Sequence, residues 1–247
     1  MERLILLLSL VAFLINGCGT SIPESAVIKN EERIPTRVKP DADAPLPAAV
    51  FTHNNFHLAE AALVEAENKY GIQARRRLNQ WVELIRTDNS RTDMEKLNKV
   101  NAFFNRLRFI DDNLHWGQED YWATPVEFLA SEGGDCEDFS LAKYFTLKAM
   151  GVNERRLYLT YVKNLNIDDY HMVMTYFEVP GINPLILDNL TDDIQPAVQR
   201  TDLLAVYSFN GTGVWMTQMR SPEDQLGKSD QLNRWQELLT RMPAGLQ

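Results

Sequence analysis

The sequence is poor in the residues that most often announce a chemistry. It contains two cysteines and four histidines in 247 residues, so any thiol or imidazole site must be built from very few candidates. Positive charge is also scarce: 25 lysines and arginines against 34 aspartates and glutamates leave a net charge of −9. No basic stripe offsets that balance, which excludes a nucleic-acid partner, because a phosphate backbone demands one. The same balance suits divalent cations, although most acidic chains bind none. Internal repeats and long low-complexity tracts are absent. The apolar run Leu4 to Ile15 is too short to span a bilayer comfortably. What remains is ordinary: 45% hydrophobic and 24% charged residues, enough for one substantial core with a small helical subdomain.

The N-terminus has the proportions of a secretory signal. Met1-Glu-Arg3 gives a weakly positive start, the apolar run follows, and Leu14-Ile-Asn-Gly-Cys18 closes it. A cysteine directly after a small residue at this point resembles a lipobox, which would make Cys18 the acylated first residue of the mature chain and tether it to a membrane. Asn16 is atypical of that motif, and ordinary signal cleavage beside an incidental cysteine is the alternative. Residues 1–18 are therefore read as a signal or lipobox segment, 19–50 as a proline-rich linker, and 51–247 as the folded domain. Export to an oxidising compartment sharpens the view of Cys136. If Cys18 is acylated or removed, Cys136 loses its intramolecular partner.

Cys136 sits in Glu132-Gly-Gly-Asp-Cys-Glu-Asp-Phe-Ser140. Two glycines allow a sharp turn, and apolar residues at Phe139, Ala142, Tyr144, Phe145, Ala149 and Met150 then follow a roughly helical spacing that Gly151 stops. The cysteine is thus expected at or just inside a helix N-terminus, where unpaired N–H groups and the positive dipole end favour a thiolate. The carboxylates of Asp135, Glu137 and Asp138 oppose it, so something must offset them. A flank this polar is a poor match to an inert buried cysteine.

Around this stretch the chain reads as α+β, helices first and then an antiparallel sheet against which the Cys136 helix packs. Leu63, Tyr70, Ile72, Leu78, Trp81, Val82, Leu84 and Ile85 predict two helices interrupted near Gly71. Arg75-Arg-Arg77 reads as a solvated helix face, with contact to an acidic partner as the alternative. Thr92 and Glu95 predict a capping box ahead of a stripe of Met94, Leu97, Val100, Phe103, Phe104 and Leu107. Asp111, Asp112, Gln118, Glu119 and Asp120 concentrate oxygen ligands between aromatic residues, and Thr124-Pro-Val-Glu127 starts a short helix. The period then switches to two. Strands are expected over 157–162, 170–179, 185–189, 205–209 and 213–216, with a turn at 180–184 and a terminal helix over 232–242. Trp122 lines a cleft or belongs to the core, and Trp215 is either core or an exposed anchor; core is the simpler reading of each.

His171 is the one histidine placed on a strand. A hairpin turning around Pro180-Gly181 pairs residues whose numbers sum to about 359–361, which puts His171 opposite or diagonal to Asp188. A cysteine at a helix start, a histidine on a strand and a carboxylate on the next strand form a nucleophile, base and orienter. In that reading Cys136 attacks a carbonyl, His171 stabilises the thiolate and protonates the leaving amine, Asp188 fixes the imidazole, and the Cys136 N–H is one oxyanion donor.

Trp122-x-x-Pro125-x-Glu127, Gly-Gly-Asp-Cys-Glu-Asp138, Tyr170-His171-Met-Val and Leu187-Asp188-Asn189 resemble the bacterial transglutaminase-like cysteine proteinases, over about residues 51–220. The resemblance implies a papain/transglutaminase-like core and a Cys136-His171-Asp188 triad. It implies calcium-dependent activity with Asp135 and Glu137 as ligands. Ca²⁺ takes about six to eight oxygens, and Asp120, Gln118 or Asp111 from the preceding loop can join them. Without the resemblance these carboxylates read as charge complementing a helix dipole. The resemblance further implies a periplasmic enzyme that cuts the N-terminal region of a large surface adhesin and so promotes biofilm dispersal. Its implied regulator is an inner-membrane cyclic-di-GMP receptor whose periplasmic domain sequesters it. A membrane tether at Cys18 departs from a soluble periplasmic location. Two other readings stay open at this level: a transglutaminase passing the acyl group to lysine, and a binding module that kept the scaffold.

Overall fold

A computed structural model describes residues 55–179, 182–216, 225–243 and 246. The signal, linker and Cys18 expectations, and the Pro180-Gly181 turn, lie outside the described residues. Among the described residues no helix is long and apolar enough to cross a membrane.

The chain opens with α1 (Glu60–Tyr70) and α2 (Ile72–Arg86), split at Gly71, whose φ of 85° ends the first helix while its N–H bonds the Glu67 carbonyl. Leu78, Trp81 and Ile85 form the buried stripe of α2, and the Trp81 indole N–H donates to Thr146 Oγ1 at 2.8 Å. Helix α3 (Asp93–Phe104) starts at Thr92, which accepts the Glu95 N–H. The expected box is only half formed, because the Glu95 carboxylate takes the N–H of Arg91 instead. The pair β1 (Arg108–Phe109) and the single-turn helix α4 (Asp112–His115) follow. Then come α5 (Pro125–Ser131), β2 (Gly133–Gly134) and α6 (Cys136–Ala149). Strand β1 runs parallel to β2. At Thr124 the capping box is complete, with Pro125 in the first turn.

The second half is β3 (Leu157–Asn164), β4 (Asp169–Tyr176), β5 (Leu185–Leu187), β6 (Gln195–Pro196), β7 (Leu203–Asn210), β8 (Gly213–Met216), β9 (Gln225–Gly227) and α7 (Asn233–Arg241). The seven strands β3–β9 form one antiparallel sheet in the order β6-β5-β4-β3-β7-β8-β9. The expected α+β arrangement is the one observed. Helix α6 packs on β4 and β3 on one side and on α3 and α5 on the other. Every residue from Cys136 to Leu147 is consequently buried, charged ones included.

Aromatic rings fill the space between α6, the sheet and α7. Trp235 stacks on Phe145 at 5.5 Å and meets Phe209 edge-on at 5.7 Å, and Trp122 stacks on Phe209 at 5.7 Å. Trp122 is therefore core rather than a cleft wall, and Trp215 is buried against Tyr158. Arg75-Arg-Arg77 is not a solvated face throughout. Arg77 is half-buried and donates to the carbonyls of Leu129 and Ala130 at 2.6 and 2.7 Å, capping the C-terminus of α5.

Candidate active site

Helix α5 delivers the chain to the nucleophile through a turn made at Glu132, which takes φ 72°. The two glycines after it serve a different purpose from the expected one. A Cβ on Gly133 would lie 2.4 Å from the Arg108 carbonyl oxygen, and one on Gly134 would lie 2.0 Å from Asp138 Oδ2. They are there because backbone and carboxylate approach too closely for any side chain. Asp135 occupies the N-cap position of α6 but makes no side-chain cap, and Cys136 is the first helical residue. Its N–H belongs to the turn that lacks intrahelical acceptors.

Strand β5 stops at Leu187, opposite Met174, so the edge of β4 beyond that point is left to other groups. The start of α6 takes it. The Met172 N–H donates to Cys136 Sγ at 3.3 Å, and Ser140 Oγ, one turn further along the helix, donates to the Met172 carbonyl at 2.9 Å. The sulfur is thereby held one peptide bond from His171. On its other side it meets Glu137, whose Oε2 is 3.1 Å from Sγ.

His171 is opposite Val162 on β3, and the β4–β5 register of Met174 with Leu187 sums to 361, the upper edge of the expected range. Asp188 thus lies diagonal to His171 and accepts from its Nε2 at 2.7 Å. Nδ1 is the ring nitrogen that Asp188 does not take. Both side chains are buried. Asp188 Oδ1 also accepts the Leu190 N–H at 3.0 Å, and Oδ2 lies 2.7 Å from Arg200 Nη2, an ion pair by distance whose N–H is not aligned as a hydrogen bond. Burial raises the Asp188 pKa, but the bond from His171 and the partners Leu190 and Arg200 outweigh it and hold the carboxyl below the usual range.

Ahead of the nucleophile, five carboxylates converge. Asp112, Asp120 and Glu137 each offer an oxygen within 4.8 Å of the others, and so do Asp112, Asp135 and Asp138. All five side chains are buried. One oxygen of each (Asp112 Oδ1, Asp120 Oδ1, Asp135 Oδ1, Glu137 Oε1 and Asp138 Oδ2) has no hydrogen-bond partner among the described residues. Burial first, and then mutual repulsion, pushes Asp112 up to about 7 and Glu137 to about 8, and raises Asp135 and Asp138. Arg234 of α7 pairs with this group through Asp120 at 3.0 Å. Two oxygens on one calcium ion lie at most about 5 Å apart, so each of these two all-oxygen, buried trios, which share Asp112, fits that ion.

The family model for bacterial transglutaminase-like cysteine proteinases (BTLCP) matches residues 71–220. The chain belongs to this family. Among solved structures, LapG of Legionella pneumophila treated with EGTA is 40% identical, with a TM-score of 0.65, covering 74% of this chain and 96% of that one. A further LapG structure is 39% identical at TM-score 0.64 with coverage of 74% and 94%. Calcium-bound LapG is 37% identical at TM-score 0.64, covering 74% and 99%. A comparison with curated proteins found no match. The chain is thus a cysteine protease with the transglutaminase-like α+β fold.

Of the residues singled out in this proteinase from sequence, the structure brings Cys136, His171 and Asp188 to one place, and Asp135, Glu137 and Asp120 to the adjoining carboxylate group. Gln118 is exposed and stands outside the buried set. Asp111 caps α4 by accepting the Asn113 N–H, and it is Asp112 that turns inward. The sequence reading passed over Asp138 as a ligand and left Asp112 as one acid among several. It also missed the clamp on the segment carrying Asp188. Asn105 Nδ2 donates to the Asp188 and Thr191 carbonyls at 2.9 and 3.2 Å, and Asn101 Nδ2 to that of Asp192 at 2.9 Å. Asn101 had a signal, a polar residue on the buried stripe of Leu97, Val100 and Phe104. Lys143, buried in α6, was also missed; desolvation lowers its pKa to about 7 against the pull of Asp188 and Asp192.

Proposed function

We propose that this protease is a calcium-dependent endopeptidase using Cys136, His171 and Asp188, and that its substrate is the N-terminal region of a large surface adhesin. The observation that carries the reading is the position of Glu137. It belongs to the carboxylate group and also rests against the nucleophilic sulfur, so the charge of that group acts directly on the thiolate.

His171 takes the proton of Cys136 through Nδ1 while Asp188 holds Nε2, and the imidazolium offsets the negative flank of the sulfur. The thiolate attacks the scissile carbonyl, the backbone N–H at the start of α6 faces the developing oxyanion, and His171 returns the proton to the leaving amine. Asp112, Asp120, Asp135, Glu137 and Asp138 would hold calcium, which would offset part of the group's negative charge and lower its penalty on the thiolate. Cutting releases the adhesin from the cell surface and disperses the biofilm, and a cyclic-di-GMP receptor of the inner membrane restrains the enzyme through its periplasmic domain. The location that fits is the periplasm, with acylation at Cys18 tethering the chain. The support for substrate, regulator and location is the resemblance in sequence; the support for calcium is the donor set and the calcium-bound LapG among the similar structures.

The test is cleavage of a purified N-terminal adhesin fragment by the full chain, in calcium and in chelator, beside Cys136→Ala. Calcium-dependent cutting that disappears in the alanine variant is expected. Cutting that survives chelation removes calcium from the reading, and no cutting in either condition by a folded protein removes the substrate.

A further inference from the structure

We propose that Arg200 is a positioning residue for the aspartate that orients His171, and that Asp202 in turn holds Arg200. The inference rests on the triad of the proposed function and extends it by two residues that neither the spacing of motifs nor the family match assigns.

Asp188 uses Oδ1 for His171 and for the Leu190 N–H, at 2.7 and 3.0 Å. Its Oδ2 is buried, lies 2.7 Å from Arg200 Nη2, and makes no hydrogen bond among the described residues. A buried carboxylate with one oxygen uncompensated would rotate or take up a proton; the guanidinium prevents both. Arg200 is itself 8% exposed and is fixed by a two-pronged contact, Nε to Asp202 Oδ1 at 2.9 Å and Nη2 to Asp202 Oδ2 at 2.8 Å. The backbone is tied on both sides. Arg200 N–H bonds the Ala197 carbonyl, the Arg200 carbonyl accepts the Leu203 N–H, and the Asp202 carbonyl accepts the Leu165 N–H from the β3–β4 turn.

Arg200 acts through Asp188 and not on the reacting atoms. With Asp202 it lines a cavity of 640 Å³ whose lining includes none of Cys136, His171 and Asp188. The other charges facing Asp188 are Lys143 of α6 and, beside it, Asp192; from α3 the facing groups are the neutral amides of Asn101 and Asn105. Asp188 and Asp202 carry two negative charges against the one of Arg200. Formation of the His171 imidazolium brings that set to neutrality, so the arrangement is complementary to the ion-paired form of the nucleophile.

The test needs no peptide substrate. The rate of Cys136 alkylation by iodoacetamide is followed against pH in the reduced full chain in saturating calcium, which keeps the neighbouring carboxylates from titrating, with the Cys136 peptide quantified by mass spectrometry. Removing a cation raises the pKa of every nearby group, so Arg200→Met is expected to move both limbs of the profile to higher pH, by about one unit. It should also slow alkylation several-fold at the optimum. Arg200→Lys keeps the charge and loses the fork; its limbs stay near those of the wild type while the slowing persists. Asp202→Asn removes an anion and moves the limbs the other way, by less. Should Arg200→Met fail to fold, the lysine and asparagine variants decide. Folded variants whose limbs and maximal rates all match the wild type would overturn the proposal, as would a lower melting temperature with an unmoved profile, the mark of packing alone. Because alkylation does not depend on the adhesin, loss of the substrate assignment leaves this result standing.

Discussion

Cys136 and Glu137 are neighbours in sequence and opponents in charge, and the residue-scale chemistry follows from how that opposition is relieved. The Glu137 carboxylate, 3.1 Å from Sγ, is raised by burial and by the other acids, whereas Asp188 is held low by His171 and Arg200 despite its burial. Two buried carboxylates, one beside the sulfur and one behind His171, are thus pushed in opposite directions, one toward neutrality and one toward permanent charge. Replacing Asp188 by asparagine preserves shape and removes the counter-charge of the imidazolium. Asp188→Asn is expected to lower kcat by roughly three to four orders of magnitude with KM little changed. Steady-state kinetics on the adhesin fragment checks it, and a decrease under tenfold would contradict the assigned role. The stability arising from Asp188 has a definite sign. Its folded pKa is below the unfolded one, so that contribution is present above about pH 4. It is lost only as the pH falls through the folded value.

At the scale of elements, legibility depended on whether a residue's environment left a periodic trace. The stripe Leu78, Trp81, Ile85 arises from one buried face, and such a face is readable without coordinates. Strands β3 and β4 are buried on both faces over most of their length, and their runs of β-branched and aromatic residues carried the reading instead. The approach of Asp188 to His171 was readable to within a residue because a hairpin constrains the sum of paired numbers. Arg200 was not readable. It lies after a 3₁₀ turn in a segment with no period, and its partners are 12 and 2 positions away in directions that only the chain path decides. The inward turn of Asp112 rather than Asp111 is likewise set by one short helix. The glycines were legible as glycines and misread in purpose, since a turn and a close approach leave the same letter. Gly134→Ala separates the two. A methyl group 2.0 Å from Asp138 Oδ2 displaces that carboxylate, so the variant is expected to lose most of the calcium-induced rise in Tm. A pure turn role would leave that response intact. Arg77 gives a second element-scale case. Its two bonds to the last carbonyls of α5 hold α2 against the helix that leads to the nucleophile, and Arg77→Met is expected to cost about 1–3 kcal/mol in urea unfolding.

Over the whole molecule, the carboxylate group is what joins distant parts of the chain. Asp112 comes from α4, Asp120 from the loop before α5, and Asp135, Glu137 and Asp138 from the start of α6. Arg234 and Arg241 reach in from α7, bonding Asp120 at 3.0 Å and Glu127 at 2.6 Å. Without a cation these acids resist folding, and the sign of the pH dependence shows how. Their folded pKa values are raised above the unfolded ones, with Asp112 at about 7 and Glu137 at about 8. The folded chain therefore binds more protons than the unfolded chain between about pH 4 and pH 8. In that interval stability falls as the pH rises. In chelator, Tm is expected to drop steadily from pH 5.5 to pH 8. In saturating calcium the acids stay ionised and paired, so the drop should shrink and the gain in Tm from calcium should be larger at pH 8 than at pH 5.5. Differential scanning calorimetry at the two pH values, with and without the ion, reads all four quantities. A calcium gain that is equal at both would place the ion elsewhere than on these five carboxylates, because binding here must displace the protons that burial has added.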